Sequence, residues 1–566
     1  MMSHTLGAAR RAFLERCGAL GVASTLFPGV LWAGIASGEE ITDASIIAAA
    51  EIAGVTFSDE DRALMLNGLR TQTAQLVALQ QIKLDNTVAP AMIFSPLPHP
   101  DAVPKGPQRP VVMSRQTAKR APASLESLSY APLTELADLV RRRQITSVQL
   151  TTMYLDRLAR LDPQLLCVTT VTRERALEQA RAADAEIAAK RYKGPLHGIP
   201  WGAKDLLAVK GHPTTWGTQP YREQRLDYDA TVVQRLDAAG AVLIAKLTLG
   251  ELAQGDRWYG GMTRNPWKLD QGSSGSSAGP ASATAAGCMG FAIGSETLGS
   301  ISSPSTRCGV TGLRPTFGRV PRTGAMALSW SMDKLGPLAR SVEDCALIFA
   351  AMHGPDGADQ TVHAAPFNWD GNAPLAGLRV GYVKSAFDAP VERHPTKPFD
   401  DAALDVLRGL GLELTPVEIP DLNYNAMRII LSAEAGAAFD DLTRSGRVRE
   451  LVQQGAGAWP NSFRTARFIP AVDYVNANRV RTLAIQQWDK LMQSVDVIVA
   501  PTNSGQLTAT NLTGHPAVIL PNGFRSTDGT PVSLTFLGRL FGEESLLRVA
   551  NAYQKATPHH IKHPVL

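Results

Sequence analysis

A chain of 566 residues with 44% hydrophobic and 19% charged side chains can bury a large core and is too apolar to be disordered. Its formal charge of +4, from 56 basic and 52 acidic residues, forms no basic stripe and no aromatic-basic interleaving, which argues against nucleic acid as a partner. One large α/β domain or two smaller ones would both fit this length.

Ala9-Arg10-Arg11-Ala12-Phe13-Leu14 precedes a mostly apolar segment from Gly18 to Ala36. Paired arginines ahead of such a segment read as a twin-arginine export signal. An ordinary secretory signal or a membrane anchor is the plainer alternative, and the Arg-Arg-x-Phe-Leu order favours the twin-arginine reading. Gly34-Ile35-Ala36 offers a small-x-small cleavage site and Ala33 a second, so residues 1–36 are expected to leave and the mature chain to be periplasmic or secreted. Nothing later is long and apolar enough to span a membrane. Cys17 would leave with the signal. Cys167, Cys288, Cys308 and Cys345 show no CxxC spacing and no nearby histidine pair, so buried thiols are expected rather than a zinc site.

Thr42 to Ala53 reads as a helix with Thr42 as its cap, and Ser58-x-x-Asp61 opens a second helix with apolar positions at Leu64, Leu69, Leu76, Leu79 and Ile82. Prolines 90, 96, 98, 100, 104, 107 and 110 then make an extended connector expected to wrap the main body. Residues 37–130 are thus a helical arm with a Pro-rich connector, and 131–566 the main domain. Helices are expected at Leu133–Arg143, Ser147–Leu161 (ended by Asp162-Pro163) and Glu174–Arg191. A turn-rich Gly194-Pro195-Leu196-His197-Gly198-Ile199-Pro200 leads to a short strand at Trp201–Lys204. Thr231–Ala239 with Gly240 as its stop, followed by the apolar Ala241–Lys246, is one helix-to-strand unit of an α/β sheet. Ser341-x-x-Asp344 caps another helix, Asp496–Ala500 reads as a late strand and Glu544–Lys555 as a final helix.

The stretch from Gln271 to Pro315 carries the chemistry. Two serine-glycine clusters flank a small-residue middle that ends in Phe291-Ala292-Ile293, too apolar for a linker. Gly275-Ser276-Ser277-Ala278-Gly279 matches G-x-S-x-G, but that elbow needs a strand directly before it, and Pro266–Gly272 does not read as one. A P-loop fails for want of a Lys-Ser/Thr after the glycines. Around Thr297 to Ser300 successive backbone N–H groups could form an oxyanion nest beside Ser300. A nucleophilic serine needs a base, and no histidine lies near either cluster. Lys204, at the end of an apolar strand, is a candidate, because burial disfavours the charged ammonium. The plainer reading pairs Lys204 with Asp205. His197 and His212 read as loop residues beside the sheet. Trp258, Tyr259, Trp267 and Trp330 fit a pocket or the core equally. Asp333 reads as a structural hydrogen-bond acceptor, and Asn511-Leu512-Thr513 is a sequon by pattern only.

GPLHGIPWGAKD, GSSAGPASATAAG and GSETLGSISSPSTRCGVTGLRPT, long and in order, resemble the amidase signature family, as do TVVQRLDAAGAVLIAKLTLGELA, DKLGPLARSVEDCA, VIVAPT and LTGHPAVILP. The resemblance runs from about Leu133 to the C-terminus and leaves out residues 37–130. It implies a single α/β domain with a mixed twisted sheet covered by helices, and a Ser–cis-Ser–Lys triad. Carried over, the lysine is Lys204, the nucleophile Ser300 and the bridging serine Ser276, which lies 24 positions before Ser300 as in the family. Ser273 and Ser274 then belong to an extra upstream GSSG. The oxyanion donors would be the N–H groups of Thr297, Leu298, Gly299 and Ser300. The chain departs from the family in having Glu296-Thr297-Leu298-Gly299-Ser300 where Asp-x-Gly-Gly-Ser is common, and Ser302 where an arginine is usual.

The resemblance implies hydrolysis of a carboxamide with side esterase activity, and neither cofactor nor metal is expected. The expected partner is a small-molecule amide, with no nucleic acid and no stable membrane insertion after signal cleavage; a homodimer stays open. Two alternatives remain: an amidotransferase-type subunit releasing ammonia for a partner, and a catalytically inactive exported binding protein. Residues from about Gly354 to Gln493 are expected to supply much of the pocket.

Overall fold

The structure, a computed structural model, describes residues 41–566 except Lys83, residues 116–119 and Asn503. The twin-arginine stretch and both cleavage sites lie outside the described residues. In chain order the strands are β1 (Val168–Val171), β2 (Pro200–Lys204), β3 (Val242–Leu247), β4 (Arg257–Trp258), β5 (Gly261–Met262), β6 (Arg264–Asn265), β7 (Lys268–Gly272), β8 (Phe291–Glu296), β9 (Thr311–Arg314), β10 (Lys334–Ala339), β11 (Val380–Val383), β12 (Leu414–Val417), β13 (Val497–Pro501), β14 (Ala517–Phe524) and β15 (Pro531–Gly538).

Eleven of these strands build one sheet in the order β1-β3-β2-β8-β10-β9-β14-β15-β13-β11-β12. The sheet is mixed: β2 runs parallel to both β3 and β8, whereas β8 and β9 pair antiparallel with β10. Strands β2, β3, β8, β10, β13 and β15 are buried at every position. That is why they read as near-continuous apolar runs without alternation: helices cover both faces. The result is a single large α/β domain.

The small-residue middle resolves into the helix Ala278–Ala285, buried at every position, and strand β8. In the parallel β2–β8 ladder Trp201 pairs with Phe291 and Ala203 with Ile293. The C-terminal ends of the two strands therefore lie side by side, where open α/β sheets commonly place their ligand sites.

Two local expectations need correction. Pro266–Gly272 contains strand β7, but among the described residues β7 pairs with β6 alone, in a small two-stranded sheet. It does not lie in the central sheet, so it cannot present Ser277 as a strand-to-helix elbow. The helix from Ser147 also passes Asp162-Pro163 and runs to Leu165. It stops at Leu166, whose φ is 50° and whose N–H donates to the Asp162 carbonyl at 2.8 Å. The Asp162 carboxylate meanwhile accepts from the N–H groups of Cys167 and Val168, so Asp162 shapes the exit beyond the helix.

The arm forms two helices, Asp43–Ala53 and Asp59–Gln80, each opened by a capping box, from Thr42 with Ser45 and from Ser58 with Asp61. The connector follows the body closely. The Val112 N–H donates to the Trp369 carbonyl, and Ser114 donates through both N–H and Oγ to Glu343. Cys167, Cys288, Cys308 and Cys345 are free and buried. No helix among the described residues is long and apolar enough to cross a membrane.

Candidate active site

Lys204 ends β2 and is wholly buried. Its Nζ lies 2.7 Å from Ser276 Oγ, 3.2 Å from Ser277 Oγ and 2.9 Å from Ser295 Oγ. Among the described residues it has no carboxylate contact. Asp205 turns the other way, forming a buried ion pair with Lys246 at 2.6 Å and accepting from the N–H and hydroxyl of Thr215. The plainer pairing of Lys204 with Asp205 therefore does not occur. Burial pushes the Lys204 ammonium well below the usual lysine range, with Asp333 and Glu296 pulling it partly back. A neutral amine has two N–H donors and one lone pair, which matches three hydroxyl neighbours.

Of those neighbours, Ser295 was not singled out by sequence reasoning, and Ser277 entered it only as the serine of the rejected G-x-S-x-G match. Ser277 Oγ donates to the Ser295 carbonyl at 3.0 Å and accepts the Ser295 N–H at 3.1 Å, so it has hydrogen-bond capacity left only as an acceptor toward Lys204. Its own N–H donates to the Ser300 carbonyl at 3.0 Å. One residue thus ties both serine clusters together. The available signal was the strand itself: Ser295 follows β8 positions that pair with β2, which ends in Lys204.

The peptide bond between Gly275 and Ser276 is cis. Position 275 must be glycine, because a Cβ there would lie 1.8 Å from the Gly255 carbonyl oxygen. Ser273 and Ser274 sit apart from Lys204: Ser273 Oγ donates to the Ser274 carbonyl, and the Ser274 N–H donates to Asp256.

The second cluster is a short loop closed by a carboxylate. Glu296 Oε2 accepts from the N–H of Ile301 at 2.9 Å and from the N–H and hydroxyl of Ser302 at 2.8 Å each. Oε1 accepts from Arg314 at 2.7 Å and Asn511 at 2.8 Å, and both charges of the Glu296–Arg314 pair are fully buried. Burial alone would raise the Glu296 pKa. The Arg314 charge and hydrogen bond, then the Ser302 and Asn511 donors, outweigh it and bring the pKa down to about 2. Ser302, standing where the family usually has arginine, is thus a ligand of Glu296.

Within that loop the N–H groups of Leu298, Gly299 and Ser300 donate to no protein acceptor among the described residues. Gly299 has φ 93°, which a side chain disfavours. Leu298 has negative φ, so a side chain there needs no left-handed backbone. Ser300 is 8% exposed against 1% for Ser276, and its hydroxyl has no protein hydrogen bond among the described residues. Thr297 Oγ1 donates to Asp333 at 2.6 Å, and Asp333 also accepts from the N–H groups of Leu328 and Ser329. The structure thus gathers Lys204, Ser276, Thr297, Leu298, Gly299 and Ser300 at one end of β2 and β8.

Other residues singled out lie elsewhere. His197 packs against Glu186 at 3.0 Å, Trp267 donates to the Cys308 carbonyl, and buried Trp258 stands edge-on to Tyr259. A cavity of about 670 Å³ is lined in part by Val383, Arg393, Tyr424, Ser504 and Arg525. The segment Ser504–Gly505 leads into the helix Gln506–Thr513, whose Leu507 Cδ2 would lie 3.4 Å from a Cβ at Gly299.

A family model described as Amidase matches residues 149–510. Among curated relatives, a glutamyl-tRNA(Gln) amidotransferase subunit of Roseiflexus sp. (strain RS-1) is 37% identical over 486 residues, covering 78% of this chain and 99% of the relative. Among solved structures, the native peptide amidase of Stenotrophomonas maltophilia is 30% identical with a TM-score of 0.68, covering 76% of this chain and 97% of the other. The corresponding glutamyl-tRNA(Gln) amidotransferase subunit of Thermotoga maritima is 26% identical with a TM-score of 0.63, covering 78% and 97% respectively.

Proposed function

The chain belongs to the amidase signature family, and we propose that it cleaves a carboxamide C–N bond through an acyl-enzyme on Ser300. The observation that carries this reading is the fully buried Lys204 amine, held by three serine hydroxyls and, among the described residues, no carboxylate. Neutral Lys204 takes a proton from Ser276, which takes one from Ser300. Ser300 Oγ bonds to the substrate carbonyl carbon, and the N–H groups of Thr297, Leu298, Gly299 and Ser300 receive the oxyanion. A donor of this kind is worth about 3 kcal/mol. Ser276 then protonates the leaving amine as the C–N bond breaks. Water, deprotonated through the same relay, hydrolyses the ester and frees Ser300.

The test is labelling with a fluorophosphonate, which needs no knowledge of the substrate. An adduct on Ser300 is expected, lost in Ser276→Ala by about two orders of magnitude or more and unchanged in Ser273→Ala. No adduct on folded protein would favour an inactive binding protein, and the reverse ranking of the two serines would overturn the relay.

A second reading is favoured by the curated relatives: a protein that frees ammonia from an amide for a partner, as the name of the 37% identical Roseiflexus protein suggests. The peptide amidase likeness and the arm outside residues 149–510 favour a free-standing hydrolase. Stable co-purification with a second protein, with amide cleavage only in that complex, would decide for the amidotransferase. The twin-arginine stretch supports export of the folded chain.

A further inference from the structure

An arch of chain from Ala325 to Asp333 links the two halves of the site. At its start, Ala325 bridges Leu207 and the Met326 N–H donates to the Leu206 carbonyl at 3.0 Å, just past Lys204. At its end, Asp333 accepts from Thr297 Oγ1 at 2.6 Å, and its other oxygen accepts the N–H groups of Leu328 and Ser329 at 2.8 and 2.9 Å. The middle is pinned from outside the family-matched region. Asn86, in the connector, accepts the Ala327 N–H at 2.7 Å and donates to the Ala327 carbonyl at 3.0 Å, across 241 residues of sequence.

A side-chain amide offers one acceptor and one donor group, so Asn86 satisfies both backbone groups of Ala327 at once. Its own seat is built: Asp85 Oδ1 accepts the N–H and hydroxyl of Thr87 at 2.9 and 2.7 Å, and the Val88 N–H closes the turn on the Asp85 carbonyl. Farther along the connector, the centre of the Phe94 ring lies 3.4 Å from the Arg481 guanidinium carbon, and the ring stands edge-on to Phe317. Arg481 donates to the hydroxyl and carbonyl of Ser331 at 2.8 Å each. The connector therefore holds the arch at two points, one of them directly.

We propose that Asn86 is a positioning residue for the oxyanion loop, acting through Ala327, the Leu328 and Ser329 amides, the Asp333 carboxylate and Thr297. The proposal rests on the acyl-transfer reading of Ser300. Movement at Ala327 is passed to the two following N–H groups, which Asp333 holds with one oxygen while it holds Thr297 with the other. Small displacements of a catalytic loop are costly, up to about 100-fold for 1 Å.

The test uses the full chain and a fluorophosphonate, measuring the maximal labelling rate of Ser300 and the half-saturating probe concentration separately, well below the melting temperature of each variant. Asn86→Ala is expected to lower the maximal rate about 10-fold and to leave half-saturation within about 2-fold. Isosteric Asn86→Asp keeps the acceptor for the Ala327 N–H but sets a second acceptor oxygen against the Ala327 carbonyl, and is expected to label no faster than Asn86→Ala. A purely structural role would lower the melting temperature without changing the rate. The proposal is overturned if Asn86→Ala labels at the native rate, or shifts half-saturation alone, while Ser300→Ala stays unlabelled. If the native chain itself gains no adduct on Ser300, the acyl-transfer reading falls and this one with it.

Discussion

At position 204 a lysine amine is enclosed by hydroxyls with no countercharge in contact among the described residues, and the sign of its effects on pH follows. Its folded pKa lies below the unfolded value because burial penalises the ammonium. Between the two pKa values the unfolded chain binds more protons, so this group's contribution makes stability rise with pH across that window. Reactivity of Ser300 should rise through the lower edge of the same window, as the amine becomes a base. Lys204→Met is expected to cut fluorophosphonate labelling by about three orders of magnitude or more while leaving the melting temperature equal or higher, because a desolvated amine is removed. Labelling rates across pH together with calorimetry check this; a labelling rate in the variant equal to native would remove Lys204 as the base. Ser277 and Ser295 belong to the same scale. They form a polar floor that holds the amine toward Ser276, and replacing either would free a donor with nowhere to go.

The element that shapes the site is the Glu296–Ser302 loop, laced to Arg314 of β9 and to Asn511. Breaking one partner of a buried pair leaves an uncompensated charge, so Glu296→Gln is expected to cost about 3–5 kcal/mol at neutral pH. The folded pKa, lowered from 4.5 to about 2, sets the direction with acid. The stability carried by this carboxylate is fully present above its unfolded pKa and is lost as pH falls through about 2. Melting temperatures of native and variant should therefore converge in acid; an equal gap at neutral and low pH would mean that the charge of Glu296 is not what holds the loop. The helix Ala278–Ala285 works at this scale too. Its small residues let it sit buried beside β8 while its N-terminal neighbours Ser276 and Ser277 reach Lys204.

For the whole molecule, one sheet of eleven strands carries the site at the C-terminal ends of two parallel strands, and a connector from the N-terminal arm crosses the body to reach it. We propose that the chain is exported after folding. Changing Arg10 and Arg11 both to lysine should leave full-length precursor in the cytosol of a bacterial host, whereas the native chain should appear shortened outside it. Fractionation with mass spectrometry of the N-terminus reads this, and equal export of both forms would remove the twin-arginine reading. The fold was legible in the sequence to the extent that buried strands are apolar runs and helix caps are local: β2, β3, β13 and the helices at Thr42 and Ser58 needed only neighbouring residues to be recognised. Ser300 and Lys204 stood out as candidates from the residues themselves, a serine beside a run of small-residue N–H groups and a lysine at the end of an apolar strand, whereas Ser276 was reached only through the family resemblance. What only the tertiary structure decided was partnership. That Asp205 takes Lys246 and leaves Lys204 to three hydroxyls, that Glu296 pairs with Arg314, and that Asn86 holds Ala327 are contacts between residues from 18 to 241 positions apart. A side chain's charge state and hydrogen-bond partners depend on which strands lie beside it, and neighbours in sequence do not set that. The two serine-glycine clusters could therefore be found in sequence, but the site they form required the β2–β8 register that sets Lys204 beside them.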